Sequence, residues 1–127
     1  GKSMTEVGIV IVSHSKWIAQ GLVDLISEVA KDIVLTYVGG TEDGGIGTSF
    51  EQVQTVVEAN KAEKILAFFD LGSARMNLEL VADFSDKDII INNVPIVEGA
   101  YTAAALLQAG ADLASIQEQL KELEIKK

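Results

Sequence analysis

The sequence predicts an α/β domain built on a parallel sheet, and three observations predict it. Apolar, β-branched runs recur along the chain, each followed by a segment with helical spacing of its apolar residues. The first run, residues 7–12 (VGIVIV), is continuous rather than alternating, the pattern of a strand covered on both faces. The glycine-rich and polar stretches fall at the ends of these runs. A chain of 127 residues, 48% hydrophobic, reads as one domain with a real core and no linker or internal repeat.

The elements follow in order. After the first strand, Ile18, Leu22, Leu25, Ile26 and Val29 lie at spacings of 4, 3, 1 and 3, one helical stripe. Residues 32–38 (DIVLTYV) read as the second strand and residues 39–47 as a glycine-rich loop. Thr48 with Glu51 forms a capping box, so a helix starts there and runs to about residue 59. Residues 64–69 (KILAFF) are the third strand, 73–84 the next helix and 87–91 (KDIII) the fourth strand. An alanine-rich helix over residues 97–109 stops at Gly110. Leu113, Ile116, Leu120 and Leu123 mark an amphipathic last helix, read as core packing with a dimer contact as second option. Crossovers in such sheets are right-handed, and a flavodoxin-like strand order 2-1-3-4 with helices on both faces is the first choice. The first and third strands are neighbours in that order. The crevice at their C-terminal ends is where ligands bind in such sheets.

Composition narrows the chemistry. Ten Lys and Arg against 19 Asp and Glu give a net charge of -9, which argues against nucleic acid and against an anionic membrane. No cysteine is present, so disulfides and thiol chemistry are excluded, and a single histidine makes a zinc site a poor reading. No metal is therefore expected. Neither a membrane span nor a signal peptide is visible, so the expected location is the cytoplasm. Gly1, Lys2 and Ser3 ahead of Met4 read as an expression remnant, which places the domain at residues 4–127.

The unusual polar residues collect on one rim. Ser13, His14 and Ser15 follow the first strand, Gly39, Gly40 and Thr41 the second, Asp70 the third, and Asn92 and Asn93 the fourth. A histidine beside a carboxylate suits a nucleophile, because the carboxylate holds one ring N–H and the other nitrogen presents its lone pair. Phosphoryl transfer also needs donors around three oxygens. Gly72 and Ser73 open a helix beside Asp70, and helix N-termini bind anions. Arg75 lies in that first turn, where the helix dipole disfavours a cation unless an anion is near. Candidates for holding a phosphoryl group or a partner are thus Ser13, Ser15, Gly39, Gly40, Thr41, Gly72, Ser73 and Arg75. Plainer readings stand beside these. Asp70 is also a good turn residue or helix cap. The 39–47 stretch also reads as a mobile loop, and with Glu42 and Asp43 and no Walker ending it is a poor phosphate cradle. Trp17 and Tyr101 read as partial core or interface residues.

The strand ending in Ser13-His14-Ser15, followed by Gly21-Leu22, resembles the mannose-type enzyme IIA family of the sugar phosphotransferase system. The segments 39–49 (GGTEDGGIGTS), 68–77 (FFDLGSARMN) and 93–101 (NVPIVEGAY) are closer to one branch, the phosphotransferase subunits of bacterial dihydroxyacetone kinases. The resemblance covers nearly the whole chain from Met4 onward. It implies a cascade fed by phosphoenolpyruvate, in which HPr phosphorylates His14. The phosphoryl group then passes to ADP held as a cofactor by the kinase's nucleotide-binding subunit, with no cofactor on this chain. It maps the family's active histidine onto His14, its orienting carboxylate onto Asp70, and the receiving turn onto Gly72 and Ser73. It also implies a homodimer. Ser15 stands where transporter subunits often have glycine, which favours the kinase branch over an enzyme IIA of a sugar transporter. Because the chain stops at Lys127, HPr is expected as a separate protein. Which ring nitrogen reacts is left open.

Two rivals are weaker. A receiver-like domain phosphorylated on Asp70 needs acidic residues after the first strand and a fifth strand bearing a lysine, and neither is found. A flavin or cobalamin module fails on the turn after the first strand, which runs into Lys16-Trp17-Ile18 and has Val12 where cobalamin domains carry aspartate.

Overall fold

The β-branched run near the start of the chain forms β1 (Val7–Ser13), one residue longer than expected because Ser13 still pairs with Gly39. This computed structural model describes residues 6–127, so the readings of Gly1 to Ser3 and of the domain start at Met4 lie outside the described residues. β1 is central. It pairs in parallel with β2 (Val34–Gly39) on one side and β3 (Lys64–Phe69) on the other, and β3 pairs with β4 (Asp88–Asn92). The order β2-β1-β3-β4 is the one predicted.

Strand pleating divides the core in two. Ile9 and Ile11 of β1 with Leu66 and Phe68 of β3 pack against α1 (Lys16–Ser27), α4 (Ile96–Gln108) and α5 (Leu113–Lys121). Val10, Val12, Ile65, Ala67 and Phe69 point the other way, onto α2 (Phe50–Ala59) and α3 (Gly72–Phe84). Burying each such side chain stabilises by about 1.5–3 kcal/mol, so the two strands that carry the rim are the best anchored. Ile116 and Leu120 are buried in the first cluster, so the tail stripe is core packing. Gly110 terminates α4 as expected, at φ +87°.

Three local expectations are corrected. On α1 the buried residues are Ala19, Leu22 and Ile26, while Ile18, Leu25 and Val29 are exposed. The stripe had passed over Ala19, whose small side chain is what lets β2 come close. The α2 cap is Ser49, not Thr48: its hydroxyl accepts from the Gln52 N–H, and Thr48 instead accepts from Asn77. The cap position of α3 is Leu71 rather than Asp70, and no side chain caps that helix.

Candidate active site

His14 occupies the turn between β1 and α1, and Ser15 is the residue that starts the helix. The Ser15 hydroxyl accepts from the Ile18 N–H at 3.4 Å, and its own N–H donates to the Ser13 hydroxyl at 3.1 Å. Asp70 stands opposite because β3 pairs with β1 in a register that sets Phe69 beside Val12. Both side chains are 14% exposed, enough for a reactant to reach the ring.

The two residues make two contacts. His14 Nδ1 lies 2.8 Å from Asp70 Oδ1, and the His14 main-chain N–H donates to Oδ2 at 3.0 Å. The buried Ser13 hydroxyl donates to Oδ2 at 2.8 Å, and the Leu71 N–H donates to Oδ1 at 2.8 Å. A carboxylate has about four acceptor positions, so all of them are taken. Burial raises the Asp70 carboxyl, but the hydrogen bonds from the His14 main chain, the His14 ring, Ser13 and Leu71 outweigh it and hold it below 3.8. An ionised acceptor fixes the proton on Nδ1. Nε2 is then the nitrogen with the free lone pair, and it faces Ser73, whose hydroxyl donates to it at 2.5 Å.

Ser73 belongs to the uncapped first turn of α3, with Gly72 ahead of it. No acidic residue sits in that turn; its Ala74 N–H donates to Leu71 O, and Asp70, just ahead of the helix, is the nearby anion. A Cβ at Gly72 would meet nothing within 4 Å, so the opening here is real space rather than a backbone squeeze.

Other predicted residues lie elsewhere. Gly39, Gly40 and Thr41 do not bring donors to Nε2. Gly40 donates its N–H to Ser13 O, Thr41 donates to Gly45 O, and the Thr41 hydroxyl is turned onto Asp43. Gly39 is a close approach, since a Cβ there would lie 2.5 Å from Ser15 O and 2.7 Å from the Ala19 Cβ. Gly40 has φ +78°, which a side chain rarely adopts. The loop instead braces the histidine from behind, with the Gly47 N–H on His14 O at 2.8 Å. Arg75 also leaves the cluster. Its guanidinium pairs with Glu79 and reaches Lys127 O, and that ion pair accounts for a cation in the first turn. Ser13 is a buried support of Asp70 rather than a surface contact. Asn92 spends its amide on Ala67 O and Ile90 O. Among the described residues, no three or more His, Cys, Asp or Glu side chains gather as a metal site, and no helix is long and apolar enough to cross a membrane.

Of the two readings of Trp17, partial core fails, because it is 74% exposed. Three more exposed apolar residues lie close in sequence to the site: Ile46 before Gly47, which holds His14 O, Leu71 after Asp70, and Met76 on α3. One feature escaped the sequence reading. Lys127 reaches the rim from the far end of the chain, and no local motif announces it.

Comparison with known proteins gives the chain a family. The sequence profile described as EIIA-man, the PTS system fructose IIA component, matches residues 8–117, and the chain belongs to that family. It is 60% identical over 120 residues to a Lactococcus lactis subsp. lactis protein, covering 94% of this chain and 98% of that one. That relative is named the PTS-dependent dihydroxyacetone kinase, phosphotransferase subunit DhaM. A Listeria innocua protein, named PEP-dependent dihydroxyacetone kinase 1, phosphoryl donor subunit DhaM, is 51% identical over 94% of this chain and 96% of its own. The resemblance read from the sequence is borne out. Among solved structures, a protein of unknown function superposes with a TM-score of 0.82 at 29% identity, over 95% of this chain and 97% of its own. The phosphotransferase system component EIIA from Streptococcus agalactiae shares the fold at a TM-score of 0.68, with 15% identity over 91% of this chain and 90% of its own.

Proposed function

We propose that this protein is a phosphohistidine carrier, taking a phosphoryl group from HPr on His14 and passing it to ADP held by the nucleotide-binding subunit of a dihydroxyacetone kinase. The observation that carries this reading is the clamp of Asp70 on His14 Nδ1, which leaves Nε2 as the nucleophile beside the open start of α3. The named relatives supply the kinase and the dihydroxyacetone.

The step needs no general base. The Nε2 lone pair attacks phosphorus, and the bond to the donor's leaving atom breaks, its electron pair returning to the donor. The ring becomes positively charged with its proton still on Nδ1, and Asp70 balances that charge. The Ser73 hydroxyl must leave Nε2 first, and it is exposed and free to turn onto a phosphoryl oxygen. The Gly72 and Ser73 N–H groups receive the other oxygens. In the second step an ADP oxygen attacks, the P–N bond breaks, and its electrons return to Nε2 to restore the neutral ring. The chain acts as a carrier and holds no cofactor; ADP stays on the partner. The exposed border of Trp17, Ile46, Leu71 and Met76 suits a partner that covers the site and excludes water during transfer.

The proposal includes a cytoplasmic location and a homodimer, for which the exposed stripe Met76, Leu80 and Phe84 along α3 offers an apolar surface. A second acceptor is disfavoured: with its acceptor positions filled, Asp70 has no free oxygen for a receiver-like reaction.

The test mixes the purified chain with phosphoenolpyruvate, enzyme I and HPr, then adds the ADP-loaded kinase subunit and dihydroxyacetone. We expect an alkali-stable, acid-labile phosphoprotein, no label on His14→Gln, and formation of dihydroxyacetone phosphate. Alkali-labile label would refute His14 as the acceptor. Labelling without product would refute the kinase as the destination.

A further inference from the structure

The C-terminal segment folds back across the rim. The Ile125 N–H donates to Asn93 O, and the Arg75 guanidinium donates to Lys127 O. The Lys127 ammonium then enters the gap between the ends of β3 and β4. It donates to Phe69 O at 2.8 Å and Val94 O at 2.6 Å, and lies 4.1 Å from the centre of the Phe69 ring. Phe69 O belongs to the peptide that joins Phe69 to Asp70. Two of the three ammonium donors are therefore spent on main-chain carbonyls at the strand ends.

We infer that Lys127 is a positioning residue for the His14–Asp70 pair: its ammonium pins the Phe69–Asp70 peptide and supplies the cation that balances the Asp70 carboxylate. The inference rests on the carrier reading for its consequence, though not for its geometry. Among the described residues Asp70 has one ion-pair contact, with His14 from the β1–α1 turn, and the Lys127 ammonium acts on it through the field beyond contact distance. Arg75 of α3 is paired with Glu79 and with Lys127 O. The turn after β4 contributes the neutral Asn93 and Val94 O, and the tail contributes Lys127. Burial pushes the Lys127 ammonium below its ordinary value, while the Asp70 charge pulls it back up, so the two groups sense one another. When the phosphoryl group arrives, about two negative charges join Asp70 on this rim. A fixed cation behind the carboxylate lowers the cost of holding them together.

The inference is tested on the full chain by following the Asp70 carboxyl carbon by NMR across pH in the wild type, Lys127→Met and Lys127→Arg. This readout does not depend on phosphorylation. Loss of the cation makes Asp70 easier to protonate, so its midpoint moves to higher pH in Lys127→Met, and Lys127→Arg brings it back. In the HPr assay the acid limb of labelling moves up in the same way, and the rate falls about two- to fivefold. An Asp70 midpoint in Lys127→Met equal to wild type, or no recovery in Lys127→Arg, overturns the assignment. A wild-type protein that HPr does not label overturns the carrier reading instead, and the NMR result still decides the role of Lys127.

Discussion

Asp70 grips His14 at two points at once, its Oδ1 on the ring Nδ1 at 2.8 Å and its Oδ2 on the main-chain N–H at 3.0 Å. One carboxylate thus sets both where the histidine stands and which way its ring faces. The ring cannot turn over without breaking the side-chain contact, and the turn cannot shift without breaking the other.

Replacing Asp70 with Asn separates these roles. The amide keeps the shape of the site but loses the charge that, on the carrier reading, balances the phosphorylated ring. Transfer from HPr to His14 is expected to slow by about a hundredfold, with labelling still detectable. Rapid-quench kinetics measure it, and a rate equal to wild type would remove Asp70 from the mechanism.

The same carboxylate links stability to pH. Its folded value is held below 3.8, so its contribution is present above the ordinary carboxylate range and is lost as pH falls through the folded value. The stability difference between the wild type and Asp70→Asn should therefore narrow as pH drops from about 5 toward 2. Urea unfolding at a series of pH values reads this, and a difference that stays constant would contradict it.

Ser73→Ala removes the hydroxyl that shields Nε2 and that, on the carrier reading, then receives a phosphoryl oxygen. The loss of one such hydrogen bond in the transferring state should slow phosphorylation about three- to tenfold. Because Ser73 is exposed, thermal stability should scarcely move. A faster reaction would mean that shielding of the lone pair dominates.

Trp17→Ala tests the apolar border. The side chain is 74% exposed, so the fold loses little, while a partner loses a large contact beside the site. The KM for phospho-HPr should rise about fivefold or more with kcat nearly kept. An unchanged KM for HPr and for the kinase subunit would place docking elsewhere.

Much of this was legible in the sequence, for definite physical reasons. Continuous β-branched runs mark strands buried on both faces, and their alternation with helical segments marks a parallel sheet, for which the flavodoxin-like order was the first choice. Parallel strands put His14 and Asp70 on the same rim, and the order β2-β1-β3-β4 makes them neighbours. Helix starts were harder, because Thr48 and Ser49 are consecutive hydroxyl residues and only packing decides which one caps. The α1 stripe misled because large apolar residues were counted and Ala19 was not. Yet Ala19 is the residue that the Gly39 approach requires. The bracing by Gly40 and Gly47 is made through main-chain atoms, which carry no residue signature. Arg75 was read as a bare cation in a first turn, although its i,i+4 partner Glu79 lies on the same helix; only its contact with Lys127 O depends on the tail's path. Lys127 itself lies 57 residues from Asp70, and nothing local ties them.

The filled acceptor positions on Asp70 bear on leakage. On the carrier reading, a basic oxygen beside the phosphorylated ring would help an approaching water to attack. Every position on this carboxylate is already occupied by Ser13, His14 or Leu71. On that reading, the carboxylate that orients His14 offers no free oxygen to assist attack by solvent. The half-life of the labelled protein in buffer should be set by the intrinsic chemistry of the P–N bond, and it should shorten when Ser13→Ala frees one of those oxygens.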